Sequence, residues 1–246
     1  MIKNLVVSGC SFTQTPVGYL NWSAYLRNTI PEVNYVNHGR SGAGNNYIAD
    51  SMMKYLLKEK PDPQETLIMV MWTGVTRFDF NISKDYYNLL EGWINKEHNQ
   101  DTHYVCSTGI GGLWPPVLKP LFSSLYKATD YKALASNTLF QMCSLKNFLE
   151  NCGYRYKFMS YVNYWNQPKD WYSPNLDFSI GYYDGDDPLL SNLGNHWIWV
   201  NENKDCLYEF AKSRNMLQED NFHPTPKAQE LFFNEIIKPH IEGYLK

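Results

Sequence analysis

The sequence predicts a three-layer α/β fold, in which a parallel sheet carries helices on both faces. Three observations predict it. Short apolar or β-branched runs alternate with stretches of helical periodicity. The run Leu67-Ile68-Met69-Val70-Met71-Trp72 is apolar throughout, as a strand buried on both faces of a parallel sheet must be. The residues best suited to chemistry all fall at turns beyond the ends of such runs, where ligands bind in open α/β sheets.

The elements follow in order. Leu5-Val6-Val7 is a β-branched run that stops at Gly9, which reads as a buried strand entering a turn. Trp22, Tyr25, Leu26 and Ile30 recur at helical spacing before Pro31. Tyr35-Val36-Asn37 is a second short strand, and it leads into the glycine-rich run His38-Gly39-Arg40-Ser41-Gly42-Ala43-Gly44. Ile48, Met52, Tyr55 and Leu56 form the next helical stripe, closed by Pro61, and Leu67–Trp72 is the third strand. Leu134, Thr138, Met142, Leu145, Leu149 and Cys152 mark a long amphipathic helix with Gly153 as its C-cap. Tyr156 to Val162 is the fourth strand. A helix over 203–213 leads to Met216-Leu217, a candidate short strand, and then to Asp220. Thr225 is placed to cap a last helix with Pro226 at its first position, and Leu231, Phe232 and Ile236 turn that helix inward.

Two stretches break this rhythm, at about residues 80–130 and 163–200. Both read as irregular insertions over one end of the sheet. No internal repeat or low-complexity tract divides the chain, so residues 1–246 read as one domain.

Composition narrows the function. The net charge of −3 gives no basic surplus for nucleic acid. No apolar run reaches the ~20 residues of a membrane span, and Met1–Ser8 is too short for a signal-peptide core. The expectation is a soluble, cytoplasmic protein. Five cysteines, Cys10, Cys106, Cys143, Cys152 and Cys206, have no metal-like spacing and read as reduced, mostly buried thiols. Aromatic residues make up 16% of the chain, with 19 Tyr and 8 Trp. They either fill a core or supply stacking platforms for sugar rings and flat ligands. Several candidate sites are set aside. Asp184-Gly185-Asp186-Asp187 lacks a full EF-hand ligand pattern, and His98 and His103 have no metal-like partners. Gly109-Ile110-Gly111-Gly112 is followed by no Gly-Lys-Ser/Thr, so it is not a phosphate-binding loop. No metal or organic cofactor is expected.

The residues that fit together are Ser11, Asp220 and His223. A serine hydroxyl is a poor nucleophile until an imidazole within hydrogen-bond reach takes its proton, and that imidazole needs a third group to fix its tautomer. Asp-x-x-His lets a carboxylate fold back onto Nδ1 and leaves Nε2 facing a serine. Taken singly, Asp220 to Pro224 also reads as a surface turn before a helix, and Ser11 as an ordinary turn serine. Cys10 offers a thiol beside Ser11, but neighbouring side chains in such a turn point apart, so only one of them faces His223. His38 reads as a structural residue.

Taken together, the segments resemble a known family. Gly9-Cys10-Ser11-Phe12 resembles the Gly-Asp-Ser-Leu block of the SGNH (GDSL-type) hydrolases, with Cys10 in place of Asp. Asn37-His38-Gly39-Arg40-Ser41-Gly42 resembles their second block, and Asp220-Asn221-Phe222-His223-Pro224 resembles their last. The resemblance covers the sheet frame and not the two insertions. The third block departs: Gly74-Val75-Thr76-Arg77 stands where the family has Gly-x-Asn-Asp. The run from Trp72 to Asp79 is similar to a divergent, phage-type branch, for which a virion-associated location is an alternative to the cytoplasm.

The resemblance implies a flavodoxin-like frame and an esterase acting on an acyl or acetyl ester, including carbohydrate esters. Ser11 is then the nucleophile, His223 the base and Asp220 its orienting partner. The amides of Ser11 and Gly42 form the oxyanion hole, with Thr76 or Thr73 standing in for the family's asparagine as the third donor. Asn45, Asn46 and Arg77 are further groups that reach toward that hole. Asn45, Arg77 and Trp114 are expected to contact a small-molecule or glycan ester. Trp93, Trp165, Trp171, Trp197 and Trp199 are further cleft candidates. The alternatives are a non-catalytic domain of the same fold that binds glycans or joins an assembly, and a nucleotide or flavin binder. The sequence is silent on the oligomeric state.

Overall fold

The strand with the strongest signal lies at the centre of the sheet. In the computed structural model, β1 (Asn4–Ser8) and β3 (Thr66–Trp72) pair in parallel with Val6 opposite Ile68. β2 (Asn34–Asn37) flanks β1, and β6 (Arg155–Ser160) flanks β3, giving a parallel sheet of order β2-β1-β3-β6. The structure describes residues 1–14, 20–77, 79–81, 104–106, 131–163, 192–220 and 222–245, with isolated helical positions at 120, 124 and 128.

Helices form where the sequence supplies caps and a wet face. α1 (Trp22–Thr29) starts at Asn21, whose side chain accepts from the amides of Ser23 and Ala24. α2 (Asn45–Glu59) follows Gly44. α3 (Tyr131–Asn151) ends in a Schellman motif, in which Tyr154 N–H donates to the Leu149 carbonyl and Gly153 N–H to that of Glu150. α4 (Leu207–Ser213) and α5 (Pro226–Phe232) complete the frame, α5 capped by Thr225 with Pro226 at its first position. A π turn (Phe233–Ile237) carries α5 into α6 (Lys238–Leu245). α2 packs on α3 in one layer, and α1 and α4 pack on α5 in the other. Gln229 ties the second layer together by accepting from the buried amide of Trp22. The fold is therefore the three-layer, flavodoxin-like α/β fold that the sequence predicts. All of β3 is buried, which explains its unbroken apolar run.

Four details differ from expectation. Met216-Leu217 adds no strand to the parallel sheet. Leu217 instead makes an isolated antiparallel bridge with Pro224, and that bridge closes the loop holding Asp220 and His223. The fifth position of the sheet is a single bridge from Trp197 to Phe158. The helix expected over 203–213 begins only at Leu207, because the Asn201 side chain accepts from the amides of Asn203 and Asp205 and organises a loop there. Within the first expected insertion, β4 (Asp79–Asn81) pairs antiparallel with β5 (Tyr104–Cys106). The rest of that insertion and most of the second lie outside the described residues. So do Trp93, Trp114, Trp165, Trp171, His98, His103, the Gly109–Gly112 cluster and Asp184–Asp187. Among the described residues, Cys10, Cys143, Cys152 and Cys206 are free thiols, and all but Cys152 are buried. No described helix is long and apolar enough to cross a membrane.

The turn after β1 is closely built. A Cβ on Gly9 would lie 2.1 Å from Thr13 Oγ1 and 2.9 Å from the Met71 carbonyl. The Met71 carbonyl belongs to the central strand and cannot retreat. Gly9→Ala is therefore expected to destabilise the fold by about 1–3 kcal/mol. Urea melts with an unchanged slope and a lower midpoint would show it, and an unchanged midpoint would refute it.

Candidate active site

The turn beyond β1 presents Ser11 at the carboxyl end of the sheet. The carbonyl of Cys10 accepts from the amides of Thr13 and Gln14, which fixes the turn. Cys10 is fully buried, whereas Ser11 is half-buried and faces outward. The loop before α5 comes to meet it. Gln218 N–H donates to the His223 carbonyl at 2.7 Å, and Thr225 N–H to that of Met216 at 2.8 Å, so the Asp220–His223 turn is held at both ends.

Across this gap Ser11 Oγ and His223 Nε2 lie 3.3 Å apart. His223 Nδ1 is hydrogen-bonded to Asp220 Oδ2. Asp220 Oδ1 accepts the amides of Phe222 and His223, each at 2.9 Å. Partial burial raises the Asp220 pKa, but those two amides and the imidazole outweigh it and hold the carboxyl below its ordinary range. An ionised Asp220 assigns the proton to Nδ1 and leaves Nε2 to accept from a hydroxyl. The imidazole also lies on an aromatic column. His223 stacks on Phe12 at 4.9 Å, and Phe12 stacks on Tyr161 at 4.6 Å. The Arg77 guanidinium stands 5.7 Å from the Tyr161 ring. The column fixes the plane of the imidazole, which a single carboxylate contact does not.

The turn after β2 supplies amides. From Gly39 to Gly44 the N–H groups are engaged one after another, by the Asn37 side chain, the Gly9 carbonyl, the Gln14 side chain, the Arg40 carbonyl and the Asp79 carboxylate. The exception is Gly42, which is buried with φ 75° and whose N–H has no acceptor among the described residues. A buried amide without an acceptor is uncommon. The amide of Ser11 likewise has no acceptor among the described residues.

The polar residues near the third block face inward. Asn45 is 4% exposed; its Nδ2 donates to the Thr73 carbonyl and to Thr138 Oγ1, and its Oδ1 accepts from the Thr73 amide. Its side chain therefore ties α2 to the end of β3 instead of meeting a ligand, and Thr73 is fully buried with it. Asn46 donates to the Asp79 carbonyl, and Arg77 donates to the Ala43 carbonyl at 3.2 Å. Thr76 is half-buried at the same end of the sheet. His38 packs against Tyr55, and burial pushes its pKa down to about 4, so it stays neutral beside the site.

Asp79 is the residue that sequence reasoning passed over. Its two oxygens accept from the amides of Gly44, at 2.5 Å, and Tyr47, at 2.7 Å, and so cap α2. Its only signal in the sequence is its place just after the third block. Burial pushes its pKa up to about 7 from 3.8, against the pull of those amides and of Arg77 and Arg40. Between these two values the folded chain holds a proton that the unfolded chain has lost. Stability therefore falls as pH rises through that window. Melts of wild type and Asp79→Asn should show the Tm difference moving against wild type from pH 4 to pH 7, and a difference that moves in favour of wild type would contradict this.

No protein-family model matches the sequence, and neither does any curated protein. Solved structures do. A psychrotrophic esterase, EstA, from a Pseudoalteromonas species matches at 11% identity with TM-score 0.51, covering 99% of this chain and 98% of that one. A GDSL-like lipase from Bacteroides thetaiotaomicron matches at 12% identity and TM-score 0.43, covering 98% and 89%. An acetylxylan esterase from Geobacillus stearothermophilus matches at 11% identity and TM-score 0.46, covering 97% and 94%. At these identities the likeness is one of fold.

Proposed function

We propose that this chain, whose fold is the one expected of the SGNH hydrolases, is a serine esterase acting on an acyl or acetyl ester. The observation that carries the reading is the line from Ser11 through His223 to Asp220, with the unclaimed amides of Ser11 and Gly42 on the neighbouring turns. Ser11 Oγ attacks the ester carbonyl as its proton passes to His223 Nε2. The imidazolium is stabilised by ionised Asp220; as the tetrahedral intermediate collapses and the ester C–O bond breaks, it protonates the departing alkoxide, which leaves as the alcohol. Water, activated by the same imidazole, releases the acid from the acyl-serine. The developing oxyanion is held by the amides of Ser11 and Gly42, with the Thr76 hydroxyl as the third donor in place of an asparagine.

We read the departed third block as the mark of a divergent, phage-type branch. A sugar is proposed as the alcohol, on the strength of the aromatic content and of the tryptophans in the two irregular stretches, Trp114 among them. The purified chain should hydrolyse p-nitrophenyl acetate with saturation and lose that activity to a fluorophosphonate at neutral pH. A folded chain that does neither would overturn the esterase reading in favour of a binding domain.

A further inference from the structure

The third block has lost its asparagine, yet the segment that replaces it grips the turn carrying the Gly42 amide. Arg77 donates to the Ala43 carbonyl, and Asp79 Oδ1 accepts from the Gly44 amide. That carbonyl and that N–H are the two ends of one peptide group. A guanidinium and a carboxylate from the segment after β3 thus hold the Ala43–Gly44 peptide from both sides. Asp79 Oδ2 takes the Tyr47 amide as well, and the Asp79 carbonyl takes Asn46 Nδ2. Asp79 is 4% exposed and packs so closely that a Cβ on Gly44 would lie 2.4 Å from its Oδ1. The other side of the turn is fixed independently, by Arg40 N–H to the Gly9 carbonyl and Ser41 N–H to Gln14 Oε1. Gly42 lies between these two anchors.

We infer that Arg77 and Asp79 are positioning residues that act together through the Ala43–Gly44 peptide to aim the Gly42 amide at the oxyanion. The inference rests on the esterase reading above and gives a role to the block in which the chain departs from its relatives by resemblance. A peptide group held at both ends cannot rotate, and the Gly42–Ala43 peptide before it is fixed in turn by Ala43 N–H to the Arg40 carbonyl, so the Gly42 amide one peptide further back keeps its direction before substrate arrives. Such preorganisation is what makes a hydrogen-bond donor effective at the transition state. Neither side chain needs to touch the substrate. The half-buried Arg77 also reaches the Tyr161 ring, so the same guanidinium touches the column beneath His223.

Asp79→Asn and Arg77→Met test the inference. Each variant is titrated with a fluorophosphonate, so that rates refer to functional serines only and an unfolded fraction drops out. Misplacing one donor by about 1 Å should lower kcat per titrated serine by about 10²-fold with KM within about twofold. The affinity of an aryl trifluoromethyl ketone, which forms a tetrahedral oxyanion on the serine, should fall by the same factor as kcat. A residue that merely stabilises the fold would lower the titrated fraction and leave kcat per serine and inhibitor affinity alone; that result overturns the inference while the esterase reading stands. Wild type that cannot be titrated at all overturns both. Arg77→Met is the second arm because Arg77 is half-buried and its loss leaves the α2 cap intact.

Discussion

Ser11→Ala is expected to lower kcat for a short aryl ester by roughly 10⁵–10⁶-fold, and adding His223→Ala should lower it little further. The two side chains form one unit: among the described residues, the Ser11 Oγ meets the His223 imidazole as its base and the imidazole meets the Ser11 hydroxyl. Once either is gone, the remaining rate comes from the oxyanion amides and from binding. Ser11 is half-buried in a turn already fixed by the Cys10 carbonyl, so removing its hydroxyl leaves the fold alone. The check is kcat for the two single variants and the double variant, each purified free of contaminating esterase. Losses that multiply in the double variant would show that the two residues act separately.

The second large effect is expected at Asp220. Asp220→Asn should lower kcat by roughly 10³–10⁴-fold with little loss of stability. The amide oxygen of Asn can still accept the Phe222 and His223 amides that Oδ1 accepts now, so the turn survives. The group that changes is Oδ2, which becomes an NH₂ facing Nδ1. Two donors cannot face each other, so the imidazole takes the other tautomer and presents an N–H to Ser11. The Asp220 side chain is 45% exposed, which weakens its electrostatic support and sets the loss toward the lower end of the range. Steady-state kinetics beside a thermal melt decides the matter. A loss of less than tenfold in a folded variant would mean that Asp220 does not orient the base.

The frame was legible in the sequence because its signals are local. The apolar run Leu67–Trp72 has one stable place, the middle of a parallel sheet, and Thr225-Pro226 has the chemistry of a helix start. The Ser11–His223 meeting was legible only through resemblance, since 212 positions separate the two and no periodicity links them. What could not be read was tertiary. Asn45 looked available to a ligand, but its amide is complementary to the Thr73 peptide and is used up there. Asp79 carries no local pattern, and its role arises only where the start of α2 meets the segment after β3. The shortened α4 and the absent strand at Met216-Leu217 both trace to side-chain and bridge contacts that compete with regular structure.

One chemical consequence separates the esterase reading from every rival: the nucleophile is a particular oxygen. Fluorophosphonate labelling of the purified chain at neutral pH, followed by peptide mapping by mass spectrometry, measures it directly. The account predicts one adduct per chain, on Ser11, absent from Ser11→Ala and strongly slowed in His223→Ala. An adduct on Cys10, or a folded wild type with no adduct on Ser11, would contradict it.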